Sequence, residues 1–199
     1  MASNNIHPVK NLLLKREDKE LITGRKGRVF WFYGLSGSGK STLAIQLEKN
    51  LHEAKVHSIV LDGDNLRSTI NRDLEFNYND RKENIRRVSE IAKTLAENGL
   101  VVIASLITPK EKFREMARSI IGNETFKDIF VQASYEKCKE RDVKGLYEKV
   151  NSGEIKDFTG DKSEFEQPNA PWLLINTENE SQKISGEKIL EKILKEIEI

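Results

Sequence analysis

Eight consecutive residues near the start of the chain have the types and spacing to hold a phosphate chain. Gly34-Leu35-Ser36-Gly37-Ser38-Gly39-Lys40-Ser41 reads G-x-x-x-x-G-K-[ST] without a mismatch. The glycines let successive backbone N–H groups turn toward one anion, and a helix opening at the loop adds its partial positive charge. In this pattern Lys40 reaches the β- and γ-phosphates and the Ser41 hydroxyl ligates Mg²⁺. Gly34, Ser36, Gly37, Ser38, Gly39 and Thr42 complete the expected ATP cradle. A second group, Asp62-Gly63-Asp64-Asn65-Leu66-Arg67, sets two carboxylates two residues apart. A carboxylate beside a phosphate loop can organise Mg²⁺ or take the proton of an attacking hydroxyl. The same residues also suit an ordinary turn, and the spacing leaves open which of Asp62 and Asp64 would do which task.

These groups need elements to position them. The apolar run 29–33 reads as a strand buried on both faces, and Leu43, Leu47 and Leu51 recur at helical spacing behind the loop. Alternation continues with a strand at 58–61, a helix at 80–98 stopped by Gly99 and a strand at 100–105. A helix from Pro109 to about 121, a strand at 126–132 and a short helix capped by Ser134 follow. Residues 144–171, with three glycines and two prolines, show no sustained period and read as a long lid loop. A strand at 172–175 and an amphipathic helix through Ile189, Ile193 and Ile197 close the chain. The expected fold is therefore α/β, a parallel sheet of about five strands with helices on both faces. Ligands of such sheets sit at the carboxyl ends of the strands. Residues 1–27 read as an N-terminal arm and 28–199 as a single domain.

Composition narrows the class. The 199 residues carry 33 basic and 32 acidic side chains, a net charge of +1, which argues against a bulk nucleic-acid binder. One cysteine, Cys138, and three separated histidines exclude an internal disulfide framework and argue against a structural zinc. The polar first residues, and the lack of an apolar run near the ~20 residues of a membrane span, suit a cytoplasmic protein without a membrane partner. No N-K-x-D segment for guanine is present. Size and charge favour a compact kinase. Five of the 11 arginines fall between Arg67 and Arg87 against one of the 22 lysines, a local excess of forked oxyanion binders.

The ordered blocks resemble those of the adenylylsulfate kinase family of P-loop kinases. After the phosphate loop and 62–67 come Asp80-Arg81-Lys82-Glu83-Asn84-Ile85-Arg86-Arg87, Arg141-Asp142-Val143-Lys144-Gly145-Leu146-Tyr147, Gly153-Glu154-Ile155 and Phe158-Thr159-Gly160. The resemblance covers about 26–171. It implies a P-loop NTPase fold, Mg²⁺, a homodimer, and transfer of the ATP γ-phosphoryl group to the 3′-hydroxyl of adenosine 5′-phosphosulfate. It places Asp64, Asn65, Leu66, Arg67, Phe76, Arg81, Asn84, Ile107, Thr108, Lys144 and Phe158 at the acceptor, with Phe76 and Phe158 sandwiching its adenine. Arg141 joins the ATP residues, Ser41 and Asp62 the metal, and Lys40, Asp62, Asp64 and Thr108 the catalytic set. Arg86 reads as a surface partner of Glu83 and Glu90, while Arg87 stays open. The alternatives are a kinase for a related modified nucleotide and a non-catalytic nucleotide-binding partner of an ATP sulfurylase.

Three segments depart from the family pattern. Leu106-Ile107-Thr108-Pro109 stands where F-I-S-P is usual, and that serine has been proposed as a phosphorylated intermediate. Lys110-Glu111 replaces an aromatic-arginine pair, and Val150-Asn151 replaces alanine-arginine. Direct in-line transfer needs no phosphorylated side chain, so Thr108 is expected to contact the acceptor.

Overall fold

The computed structural model describes residues 7–142, 145–153, 159 and 165–199. Five parallel strands form one sheet in the order β2-β3-β1-β4-β5. They are β1 (Arg28–Tyr33), β2 (Ser58–Asp62), β3 (Val101–Ser105), β4 (Phe126–Gln132) and β5 (Leu173–Asn176). Central β1 pairs with β3, Phe30 opposite Ile103, and with β4, Phe32 opposite Ile129. Every residue of β1 is buried, as expected of a strand covered on both faces.

Its alternation sorts the core into two layers. Val29, Trp31 and Tyr33 face α4 (Tyr78–Ala96) and α5 (Glu111–Ile121), meeting Ile85, Val88, Ala92, Phe113 and Ala117. Phe30 and Phe32 face α2 (Lys40–Glu53) and α8 (Gln182–Glu196), meeting Leu43, Leu47, Ile189 and Ile193. The leucine stripe behind the phosphate loop is thus the buried face of α2.

The N-terminal residues fold into a 3-10 turn at Lys10–Leu12 and α1 (Arg16–Thr23). Helix α1 buries no side chain and is held by polar contacts. Glu20 accepts the Gly27 N–H at 2.7 Å, and Arg16 donates to Thr125 at 2.7 Å.

Three expectations need correction. The turn after β2 is a one-turn helix, α3 (Gly63–Arg67), because Asp62 caps it by accepting the N–H groups of Asp64 and Asn65. The loop 144–171 contains α7 (Leu146–Asn151), which follows α6 (Tyr135–Arg141). The Asp142 carboxylate accepts the Tyr147 and Glu148 N–H groups, each at 3.1 Å, and so supplies the cap. Six residues are too few to show a period. The expected helix start at Pro109 moves to Glu111, since the Pro109 carbonyl is taken by the Glu166 N–H at 2.9 Å.

Candidate active site

Six residues, 34–39, connect β1 to α2, and their geometry explains the glycines. A Cβ on Gly34 would sit 2.3 Å from the Val131 carbonyl oxygen, so the loop passes hard against β4. At Gly37, with φ +81°, a Cβ would meet the Cys138 carbonyl at 2.9 Å. Only glycine permits both approaches. Cys138 is wholly buried beneath the loop, and burial pushes its thiol pKa up, which fits packing and not nucleophilic work.

The loop opens into a cleft of about 790 Å³ at the carboxyl ends of β1, β2 and β3. Ser36, Gly37, Gly39, Lys40, Ser41 and Thr42 line one end. Asp62, Asp64, Arg67, Phe76, Arg81, Asn84, Ile107 and Thr108 line the rest, and Arg141 stands at the phosphate-loop rim. Gly34 and Ser38 are not on this wall; Ser38 is fully buried. Asn65 and Leu66 are also off it. Asn65 spends its N–H on the Asp62 cap, and Leu66 packs in the core layer with Leu61 and Ile85. Lys144 and Phe158 lie outside the described residues.

The two carboxylates of 62–64 occupy different surroundings. One Asp62 oxygen caps α3, and the other accepts the Ser41 hydroxyl at 2.9 Å. Asp64 sits in the first turn of α3 and faces the cleft. Lys40, 8% exposed, donates to the Leu35 carbonyl at 2.7 Å. Ser41, Asp62 and Ser105 gather hard oxygen donors, with Ser41 Oγ 3.5 Å from Ser105 Oγ. Among the described residues no group of three or more His, Cys, Asp or Glu side chains could hold a metal. Such a sparse, oxygen-only set fits Mg²⁺, which takes one or two protein groups plus phosphates and water.

At the other end, Arg67 lies over the Phe76 ring at 4.3 Å, and Arg81 stands 6.0 Å from it. Phe76 is 61% exposed, so it is not a core residue. Burial lowers the Arg67 pKa, with Asp64 and Asp80 opposing the shift, and the guanidinium stays charged. Arg81 donates to the Phe76 carbonyl and to the Thr159 hydroxyl. The arginine excess of 67–87 therefore divides. Arg67 and Arg81 reach the cleft, whereas Arg86 pairs with Glu83 at 2.7 Å and Arg87 with Asp73 at 2.7 Å. Those two arginines, Arg86 first, hold the Glu83 carboxyl down at about 2.

Thr108 takes an unusual backbone conformation for a β-branched residue, with φ +43°. It is 1% exposed, and its hydroxyl accepts the Trp31 indole N–H at 2.9 Å. Its carbonyl accepts Arg114 at 3.1 Å. Arg114 also bonds the Glu166 carbonyl at 2.8 Å, tying this loop to residue 166. The Glu166 carboxylate accepts the Glu111 N–H at 2.6 Å and pairs with Lys110 at 3.2 Å. The divergent Lys110-Glu111 pair is thus a clasp for residue 166.

Several wall residues escaped the sequence. The Tyr147 hydroxyl donates to the Ser36 carbonyl at 2.7 Å, and Thr177 donates to the Ser38 carbonyl at 2.8 Å. Arg141 bonds Thr177 and the Gly37 carbonyl, bracing the loop from β5. Tyr147 and Thr159 lie inside quoted sequence blocks, which was the available signal. Thr177 follows a strand end and has no motif of its own.

Comparison with known proteins agrees with this geometry. Residues 26–176 match the adenylylsulphate kinase family. An adenylyl-sulfate kinase of Bacteroides thetaiotaomicron is 46% identical over 195 residues, 98% of this chain and 97% of that protein. One from Staphylococcus haemolyticus is 45% identical, covering 88% of each. The structure of the Mycobacterium tuberculosis APS kinase in complex with AMPPNP and APS superimposes with a TM-score of 0.82 at 38% identity, covering 85% of this chain and 98% of that one. With its parallel sheet and phosphate loop, the chain belongs to the adenylylsulfate kinase family and has its P-loop NTPase fold.

Proposed function

We propose that the chain transfers the γ-phosphoryl group of ATP to the 3′-hydroxyl of adenosine 5′-phosphosulfate, giving ADP and 3′-phosphoadenylyl sulfate. The observation that carries this reading is one continuous cleft with a phosphate loop at one end and Arg67, Phe76, Arg81 and Asn84 at the other. The first end suits a triphosphate. The second offers two guanidinium forks for phosphate and sulfate oxygens and an exposed ring for an adenine to stack on.

Roles follow from the surroundings. Lys40 and the loop N–H groups neutralise charge on the transferring phosphoryl group. Asp62, bonded to Ser41, organises the metal site; Asp64, facing the cleft, takes the proton of the 3′-hydroxyl. Ser41, with Asp62 behind it, would hold Mg²⁺, which when bound neutralises charge between the β- and γ-phosphates. The 3′-oxygen bonds to γ-phosphorus as the bond from phosphorus to the β-bridging oxygen breaks, and ADP leaves. Thr108 accepts the Trp31 N–H and acts as a wall contact, with no phosphorylated intermediate. The family resemblance supports a cytoplasmic homodimer. Among the described residues no helix is long and apolar enough to cross a membrane.

The test is mass-spectrometric detection of 3′-phosphoadenylyl sulfate from ATP, Mg²⁺ and adenosine 5′-phosphosulfate. Transfer to other nucleotides but not to this acceptor would refute the substrate.

A further inference from the structure

Asn71 lies between α3 and α4 with none of its surface exposed. Its backbone is fixed at both ends, its N–H donating to the Leu66 carbonyl at 2.8 Å and its carbonyl accepting the Leu74 N–H at 3.1 Å. Its side-chain Nδ2 donates to Asn84 Oδ1 at 3.0 Å. Its own Oδ1 is buried without a hydrogen-bond partner. Asn84, 5% exposed, reaches the cleft wall from α4 beside Arg81.

An amide presents one oxygen and one NH₂ group. With its oxygen turned to Asn71, Asn84 directs its NH₂ group away from Asn71, toward the cleft. The reverse arrangement, Asn84 donating to Asn71 Oδ1, would strand the whole Asn71 NH₂ group in the interior. Orphaned buried N–H groups are rarer than under-satisfied carbonyls, so the observed polarity is the favoured one. Asn71 touches nothing in the cleft itself.

We propose that Asn71 is a positioning residue that sets the polarity of the acceptor subsite. It holds Asn84 with NH₂ toward the cleft, so that this point selects a hydrogen-bond-accepting atom of the acceptor nucleotide. The proposal rests on the function given above and adds a specificity determinant to it.

The test reverses the polarity. In Asn71→Asp the ionised carboxylate can only accept, so Asn84 turns its NH₂ inward and shows oxygen to the ligand. The KM for adenosine 5′-phosphosulfate should rise about tenfold or more at pH 8, while the KM for ATP stays within about twofold. A buried carboxyl has a raised pKa, and once protonated it donates again. Much of the defect should therefore disappear near pH 6, relative to the wild type at the same pH. In an Asn84→Ala background, Asn71→Asp should add less than about twofold. A rise in both KM values together, an absent pH recovery, or an undiminished effect without Asn84 would each overturn the proposal. If thermal melts show Asn71→Asp unfolded, Asn71→Leu removes the donor without adding charge. It must still raise the acceptor KM selectively, and an unchanged ratio of the two KM values would overturn the proposal. Wild-type enzyme that makes no product from this acceptor would sink the substrate reading itself, a result distinct from an active wild type indifferent to Asn71.

Discussion

Thr108→Val separates a structural hydroxyl from a covalent one. Valine matches threonine in shape and is also β-branched, so any strain at φ +43° is present in both and cancels. What changes is the hydrogen bond. Trp31 is wholly buried, and its indole N–H reaches Thr108 Oγ1 at 2.9 Å. Removing the acceptor leaves that N–H unpaired in the interior, which costs about 1–3 kcal/mol. For a chain of this size each kcal/mol moves Tm by roughly 2–4 °C, so the melt should fall by about 2–12 °C. Replacing both partners, Trp31→Phe with Thr108→Val, removes the stranded donor. The double variant should lose less than the sum of the single losses, with a coupling of about 1 kcal/mol or more. Thermal melts and urea titrations of the four proteins give the stability cycle. The same preparations are assayed for product, and Thr108→Val should keep turnover within about tenfold of wild type. Additive stability losses would refute the hydrogen-bond reasoning. Abolished turnover in a folded Thr108→Val protein, with phosphate found on Thr108 of the wild type, would refute direct transfer.

Lys40→Ala should lower kcat by about a hundredfold or more while the fold persists, measured by coupled ADP release; unchanged turnover would remove Lys40 from the chemistry. Exchanging charge across the clasp tests whether it holds the lid: Lys110→Glu should raise the acceptor KM severalfold, and adding Glu166→Lys should recover part of it. Burial, then the neighbouring Asp128 charge, raises the Tyr33 pKa far above the ordinary phenol value. Above about pH 10 the unfolded chain therefore releases a proton that the folded one keeps, and stability falls with rising pH. Tyr33→Phe should flatten that alkaline decline in urea titrations at pH 9 and pH 11. At neutral pH it should be less stable by about 1.5–3 kcal/mol, through loss of the 2.9 Å bond to Asp128.

The long helices were legible because each has a side-chain period matched to its burial, and β1 because an unbroken apolar run suits a strand covered on both faces. β1 alternates between two core layers, and α2 carries its leucines four apart. The phosphate loop was legible because backbone crowding at Gly34 and Gly37 admits one residue type. The two short helices were not, since α3 and α7 are set by caps from Asp62 and Asp142 and not by a repeating stripe. Residue type also could not apportion the arginines. The resemblance put Arg81 at the acceptor and left Arg87 open, and only the fold brings Thr159 to Arg81 and Asp73 to Arg87. Asn71 left no trace because its place depends on a contact 13 residues along the chain.

Tyr147 and Thr159 have a joint thermodynamic consequence. The first bonds the carbonyl of Ser36 in the phosphate loop, and the second receives Arg81 at the other end of the cleft. Both belong to the stretch that leaves Asp142 and returns at Glu166. Any coupling that this stretch carries between the two ends of the cleft must be reciprocal, so that whatever one ligand does to the other's affinity is returned by the same factor.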